Sequence, residues 1–405
     1  MQGYPDDGGA MDAPDASATA DEMAPALQDA DTINSLPQGH GVARPDVHAP
    51  RGAPDRRPVT GERDGVYGAL DLGTNNCRLL LAKPSRRGFR VVDAFSRIIR
   101  LGEGVSQTGR LSEAAIARTY EALKVCAGKL ERARVRRSRL VATEACRIAE
   151  NGPAFLSEVR AKLGLDIEIL TPESEARLAV SGSAALIDAS CDYVLVFDIG
   201  GGSSELILLD LTRRSSRHER RSGDRINAQN SMVAWTSLPI GVVSLAERFG
   251  GRHVTPADFE AMVGETLTRL APFEAQHNLA ERLSGRRMHM LGTSGTVTTI
   301  AGIHLGLPRY DRNRVDGCWL DVRDVRAVTG NLITRSYEER VAEPCIGRDR
   351  ADLVLAGCAI LEAVLRLWPS ERLRVADRGL REGILMTLMS EDGVLRSGRR
   401  RRGRR

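Results

Sequence analysis

Asp71-Leu72-Gly73-Thr74-Asn75-Asn76 and, 127 positions later, Asp198-Ile199-Gly200-Gly201-Gly202-Ser203 are written on one plan. The first follows the apolar run 66–70 and the second the run 193–197. Each reads as a strand that ends in an aspartate, turns on glycine and returns as a second strand, 77–82 and 205–209. Glycine lets backbone amides come close to an anion, and successive amides form a cradle for phosphate. An aspartate at the end of a buried strand can hold a hydrated divalent cation beside that phosphate. One such turn alone would be a plain hairpin. A matched pair predicts a duplicated unit whose two turns clamp a polyanion from both sides.

The pattern around the first turn predicts strands 66–72, 77–83 and 89–95, then an amphipathic helix from its N-cap Ser112 to about 133. Strand 139–143, a helical stretch to about 163, strand 166–170 and a helix 172–186 follow. This β-β-β-α-β-α-β-α order restarts at Tyr193. Strands are predicted near 193–198, 204–210 and 233–238, and helices at 242–249 and 256–277. Strand 288–291, a helix from Ser294, helices 321–335 and 350–367, strand 373–376 and a helix from Leu380 complete it. The polar run 213–230 reads as a long hairpin insertion. A repeated mixed α/β unit of this kind predicts two domains, 64–188 and 189–392, with a cleft between them.

The ends differ in character. Residues 1–63 are rich in Asp, Ala, Gly and Pro, lack periodicity, and read as a disordered acidic tail. No Lys or Arg precedes Arg44, whereas 393–405 is an arginine-rich tail, either solvated or bound by charge to polyphosphate or nucleic acid. Net charge is +5, and only four of the 58 basic residues are lysine (Lys83, Lys124, Lys129, Lys162). So strong an arginine excess reads as a composition bias, and no specific nucleic-acid partner is expected. Seven cysteines without a CxxC pair, and no leader peptide, suggest a reduced, cytoplasmic protein. No apolar stretch reaches the ~18 residues of a membrane span. GxxxxGK[ST], GxGxxG and HExxH are all missing, which argues against a Walker-type nucleotide loop, a dinucleotide fold and a zinc site.

Six segments in order carry a resemblance. They are Ala69 to Asn75, Thr143-Glu144-Ala145-Cys146-Arg147, Glu173-Ser174-Glu175-Ala176-Arg177, Asp198 to Ser203, Gly292-Thr293-Ser294-Gly295-Thr296 and Arg381-Glu382-Gly383. Together they span nearly all of 66–392, and on them the chain resembles the exopolyphosphatase/guanosine pentaphosphate phosphohydrolase (Ppx/GppA) family of the actin-like ATPase superfamily. The resemblance implies two actin-like (ribonuclease H-like) α/β domains. It implies hydrolysis of a terminal phosphoanhydride bond with Mg²⁺ or another divalent cation, on inorganic polyphosphate or guanosine pentaphosphate. A homodimer is open on the same ground. The larger members carry a further helical domain with a His-Asp pair, and no such pair occurs here.

Residue by residue, the resemblance makes Gly73, Thr74 and Asn75 the first phosphate loop and Gly200, Gly201, Gly202 and Ser203 the second. Gly292, Thr293, Ser294 and Gly295 resemble a third turn lining the cleft. Arg78, Arg147 and Thr143 match phosphate-binding positions, Asp71 and Asp198 the metal ligands with Glu205 in support, and Glu175 the general base.

Local chemistry agrees. Thr171 suits an N-cap and Pro172 a first helical position, which puts Glu175 in a first turn where the helix dipole favours its ionised form. Glu173 and Glu175 lie about 200° apart around a helix, so both cannot face one cleft. Arginine can grip a phosphate with two hydrogen bonds at once. Arg78 and Arg147 follow strand ends, where α/β proteins bind ligands. Glu144 adds a carboxylate that could join a metal or repel phosphate. The motifs do not separate the two substrates, although abundant arginine favours polyphosphate. A sugar or acetate kinase and a non-catalytic polyphosphate- or nucleotide-binding regulator are the competing classes. The Glu175 motif speaks against the first, and the intact Asp71, Glu175 and Asp198 against the second.

Overall fold

The computed structural model describes residues 65–86, 88–212 and 228–395. The acidic N-terminal tail, nearly all of the predicted 213–230 insertion and the arginine run from 396 lie outside the described residues.

Strand β1 (Tyr67–Leu72) ends at the first glycine turn, β2 (Asn76–Ser85) returns antiparallel, and β3 (Gly88–Ile98) continues the meander. On the other side of β1 lie β4 (Arg137–Ala142) and then β5 (Ile167–Ile169), both parallel, giving the order β3-β2-β1-β4-β5. The second sheet is built alike. β6 (Tyr193–Ile199), β7 (Ser204–Asp210) and β8 (Met232–Leu238) form the meander. β9 (Met288–Thr293), β10 (Trp319–Asp321) and β11 (Arg372–Ala376) complete it in the order β10-β11-β9-β6-β7-β8. Without β10 the two orders match strand for strand, which is the duplication that the paired turns predicted. Strand β10 was not foreseen. It is three residues pairing antiparallel with β11 at the sheet edge, too short to carry an alternation signal.

The central strands are buried on both faces, so they are continuous apolar runs. In β6 only Asp198 is less than fully buried. Helix Glu113–Arg132, capped by Ser112 as expected, covers one face of the first sheet with Ala115, Ala122, Leu123 and Cys126. Helices Pro256–His277 and Val354–Leu367 cover the second sheet.

Two further helices stitch the halves together. Helix Pro172–Ser183 comes from the first half but buries Ala176 and Val180 against β6, β7 and β9 of the second sheet. Helix Leu380–Glu391 comes from the end of the chain but buries Ile384, Leu385, Leu388 and Met389 against β1, β2 and β4 of the first. They cross at two glycines. A Cβ on Gly182 would lie 1.9 Å from the Gly379 carbonyl oxygen, and one on Gly383 2.0 Å from that of Leu178. No helix among the described residues is long and apolar enough to cross a membrane.

Candidate active site

Asp71 pairs with Arg78 across β1–β2, and Asp198 with Glu205 across β6–β7, so each turn begins between two charged residues. Both turns close with the same bond. Gly73 N–H donates to the Asn76 carbonyl and Gly200 N–H to that of Ser203, each at 2.9 Å. Both are braced from behind in the same way. Ile99, Arg100 and Gly102 N–H donate to the Asn75 and Thr74 carbonyls, while Val242 and Val243 N–H donate to those of Gly200 and Gly201. With the carbonyls turned back, the amides of Thr74, Asn75, Gly201 and Gly202 meet no acceptor among the described residues. That is the unsatisfied donor set an anion would complete. The turns also touch. A Cβ on Gly201 would come within 2.9 Å of Thr74 Cβ, and one on Gly202 within 2.8 Å of its hydroxyl.

A cleft of about 380 Å³ opens over them. Of the residues expected to bind phosphate, Gly73, Thr74, Asn75, Arg78, Thr143, Gly200, Gly201, Gly202, Ser203, Thr293, Ser294 and Gly295 line it. Asp71, Asp198, Glu205 and Glu175 line it too. Ser294 has φ +94°, its hydroxyl is buried without a partner, and it opens helix Gly295–His304 toward the cleft.

Two expected residues sit elsewhere. Gly292 is packed behind the wall, where a Cβ would meet Phe197 and Val297 at 2.7 Å; the glycine is there for space. Arg147 is turned inward. Its Nε and Nη2 donate to Glu144, and its Nη1 donates to the Leu170 carbonyl at 2.6 Å and to Glu175 at 3.3 Å. Glu144 is thereby taken up as the partner of Arg147.

Glu175 stands where the local sequence put it. Thr171 caps the helix by accepting from Ser174 N–H, and Pro172 is the first helical residue. Glu173 points to solvent and pairs with Arg177, whereas the Glu175 side chain is 14% exposed. The expected pull of the helix dipole toward ionisation is outweighed. Burial, then Glu205, pushes the Glu175 carboxyl well above the usual carboxylate range, against the opposing pull of Arg147. Burial raises Asp71 and Asp198 as well. Glu205, 2% exposed, is pushed up to about 7 by burial and by Asp198, although the Ser203 and Ser237 hydroxyls donate to it at 2.8 Å.

Sequence reasoning missed the far wall, formed by Tyr310, Arg312, Arg350 and Asp377-Arg378. Arg378 follows β11 at the carboxyl edge of the second sheet, so the rule applied to Arg78 and Arg147 would have found it. Tyr310, Arg312 and Arg350 come from connections that carry no such signal. Contacts outside the cleft lining also join the first half of the chain to the second. Arg100, held at φ +47°, forms a two-pronged pair with Asp352 at 2.8 and 2.9 Å. Gly104 N–H and the Ser106 hydroxyl donate to Glu247.

A family model described as the Ppx/GppA phosphatase family matches residues 81–392. A guanosine-5'-triphosphate,3'-diphosphate pyrophosphatase of Photobacterium profundum is 28% identical over 349 residues, which cover 83% of this chain and 61% of the relative. The chain thus spans about three-fifths of that relative's length. Exopolyphosphatase 2 of Mycobacterium tuberculosis is 28% identical over 333 residues, covering 79% of this chain and 97% of the relative. Among solved structures, the Aquifex aeolicus Ppx/GppA family member superposes with a TM-score of 0.63 at 28% identity, over 81% of this chain and 98% of its own. An exopolyphosphatase-like protein gives 0.71 at 26% identity, over 80% and 98%.

Proposed function

The chain belongs to the Ppx/GppA phosphatase family, and from that premise we propose that it releases orthophosphate from the ends of inorganic polyphosphate. The observation that carries this reading is one juxtaposition: a buried carboxylate, Glu175, held by Arg147 in the same cleft as two turns whose amides have no acceptor. The turns take the oxygens of the terminal phosphoryl group. Glu175 orients a water and accepts its proton as the water oxygen attacks phosphorus. The bridging P–O bond breaks, and its electron pair leaves on the shortened chain. A carboxylate with raised proton affinity suits that task near neutral pH.

A divalent cation fits the donor set. Asp71 and Asp198 are carboxylates in the cleft floor with no ion-pair partner among the described residues. No cluster of three metal-ligating side chains is preassembled there. Mg²⁺ commonly takes one or two carboxylates and fills its remaining positions with water and phosphate oxygens. When bound by Asp71 and Asp198, with Glu205 behind, it supplies charge neutralisation at the scissile phosphate. The two sheets would then be two domains, 64–188 and 189–392 with its last helix exchanged onto the first, closed over the substrate.

Guanosine pentaphosphate is the alternative substrate. Among the described residues lining the cleft, Tyr310 is the one aromatic, and its hydroxyl is committed to Asp377 at 2.7 Å. A purine would have little to stack on, which favours polyphosphate. The test is phosphate release with Mg²⁺ from long-chain polyphosphate and from guanosine pentaphosphate at equal terminal-phosphate concentration. Faster release from the nucleotide would reverse the assignment. Glu175→Gln should lose on the order of 10²- to 10⁴-fold in turnover while still binding substrate. Turnover at the unaltered rate would remove Glu175 as the base.

A further inference from the structure

The charges lining the cleft fall into two neighbourhoods. Glu175, Asp198 and Glu205 form one, and the second-half arginines form the other. Asp71 lies between, feeling Glu175 on one side and Arg78 and Arg381 on the other.

Two of the cations on the basic wall are already engaged, whereas Arg350 and Arg381 have no side-chain partner among the described residues. Arg312 donates to Glu382 at 2.8 Å and to the Asp377 carbonyl, and Arg378 pairs with Asp316. Arg381 differs. It is the second residue of helix Leu380–Glu391, it lines the cleft, and among the described residues its guanidinium makes no ion pair or hydrogen bond. Its neighbour Glu382 attracts it but accepts its hydrogen bonds from elsewhere. One Glu382 oxygen accepts from Gly379 N–H at 2.9 Å and the other from Arg312. Burial alone would raise the Glu382 carboxyl, but Arg381 and Arg312 beside it hold it below the usual range. Arg381 is itself half-buried; Glu382 and Asp71 attract it, while Arg78 and Arg312 repel it. A half-buried guanidinium set among charges of both signs but hydrogen-bonded to none of them keeps its whole fork of donors available. It is prepared for a group with several anionic oxygens.

On the polyphosphate reading above, we propose that Arg381 holds the leaving side of the substrate. The terminal phosphoryl group lies among the carboxylates, and the next phosphoryl groups lie between Arg78 and Arg381. This fixes the direction of the chain in the cleft. Helix Leu380–Glu391 places Arg381 rigidly, because Gly383 and Gly182 lock it against the helix that carries Glu175. Charge gathers on the leaving phosphate as the bridging bond breaks, so a guanidinium there strengthens its grip in the transition state.

The experiment compares two probes with Mg²⁺ by calorimetry: orthophosphate, which fills the terminal position alone, and a methylene-bridged tripolyphosphate analogue that cannot be hydrolysed. Arg381→Gln should weaken the bridged probe roughly 10- to 100-fold, as expected for a charge-assisted hydrogen-bond pair. Orthophosphate binding should change less than about twofold. Arg381→Lys keeps the charge and loses the fork, so it should fall between the two and serves if the glutamine variant does not fold. In turnover, Arg381→Gln should lower kcat as well as raise KM for polyphosphate. Equal weakening of both probes would mean that Arg381 merely balances Asp71, and unchanged binding of the bridged probe would also overturn the assignment. Binding of neither probe to the unaltered protein would overturn the substrate reading along with it.

Discussion

Arg147→Met is the substitution whose consequences the geometry fixes most tightly. Methionine fills much of the arginine's volume but removes two hydrogen bonds to Glu144, one to the Leu170 carbonyl and one to Glu175. The side chains of Glu144 and Glu175 are 11% and 14% exposed, and neither pairs with another cation among the described residues. Removing one partner of a buried pair commonly costs about 3–5 kcal/mol, and the residual exposure here places the loss near the low end, about 3 kcal/mol. Urea unfolding reads that loss. The chemistry moves separately. Arg147 draws the proton affinity of Glu175 down against burial and Glu205. Without it the carboxyl holds its proton to still higher pH, so the basic form that activates water appears later. Phosphate release should therefore fall more at about pH 6 than at about pH 9, with the acid limb of the rate profile displaced upward. Adding Glu144→Gln removes one stranded charge. The double variant should regain part of the stability yet keep the displaced limb. Lost stability with an unmoved limb would show that Arg147 braces the loop and does nothing for Glu175, which would refute the reasoning.

Two further expectations rest on separate features. Glu205 carries its proton up to about 7 in the folded chain, against an ordinary 4.5, so folding is favoured by protonation there. That contribution is full below about pH 4.5 and is lost as pH rises through about 7, amounting to about 3 kcal/mol at roughly 1.36 kcal/mol per tenfold in proton affinity. In chelator, the urea midpoint should fall across that window, Glu205→Gln should flatten the fall, and Mg²⁺ should restore the midpoint at high pH; a flat profile for the unaltered protein would contradict this. Gly182→Ala puts a Cβ 1.9 Å from the Gly379 carbonyl oxygen, a backbone atom that cannot swing away. It should cost about 1–3 kcal/mol and raise KM by shifting Arg381. Gly128→Ala, in helix Glu113–Arg132 with nothing within 4 Å, should instead stabilise by about 0.5–1 kcal/mol, and similar behaviour of the two would argue that the crossing is loose.

What the chain discloses and what it withholds divide by range. The two Asp-Gly turns and the Thr171-Pro172 cap are local devices, where a few adjacent residues determine the backbone and state it openly. The duplication was legible because the β-β-β-α-β-α-β-α order is written twice. Arg147 was misjudged for the opposite reason. Its position at a strand end was correct, but its direction is decided by Glu144, the Leu170 carbonyl and Glu175, the last 28 residues away. The same holds for Leu380–Glu391. Its apolar residues announce a buried face, yet nothing in them says that the face belongs on the first sheet, at the opposite end of the described chain. Gly182 and Gly383 permit the close crossing that goes with it, and a glycine inside a helix usually reads as a weakness. The same placement brings Arg381 to the first turn. The residue argued to hold the leaving phosphates thus depends on a helix exchange that two absent side chains permit, and for that reason a Cβ at Gly182, itself an uncharged position, should be felt in substrate binding.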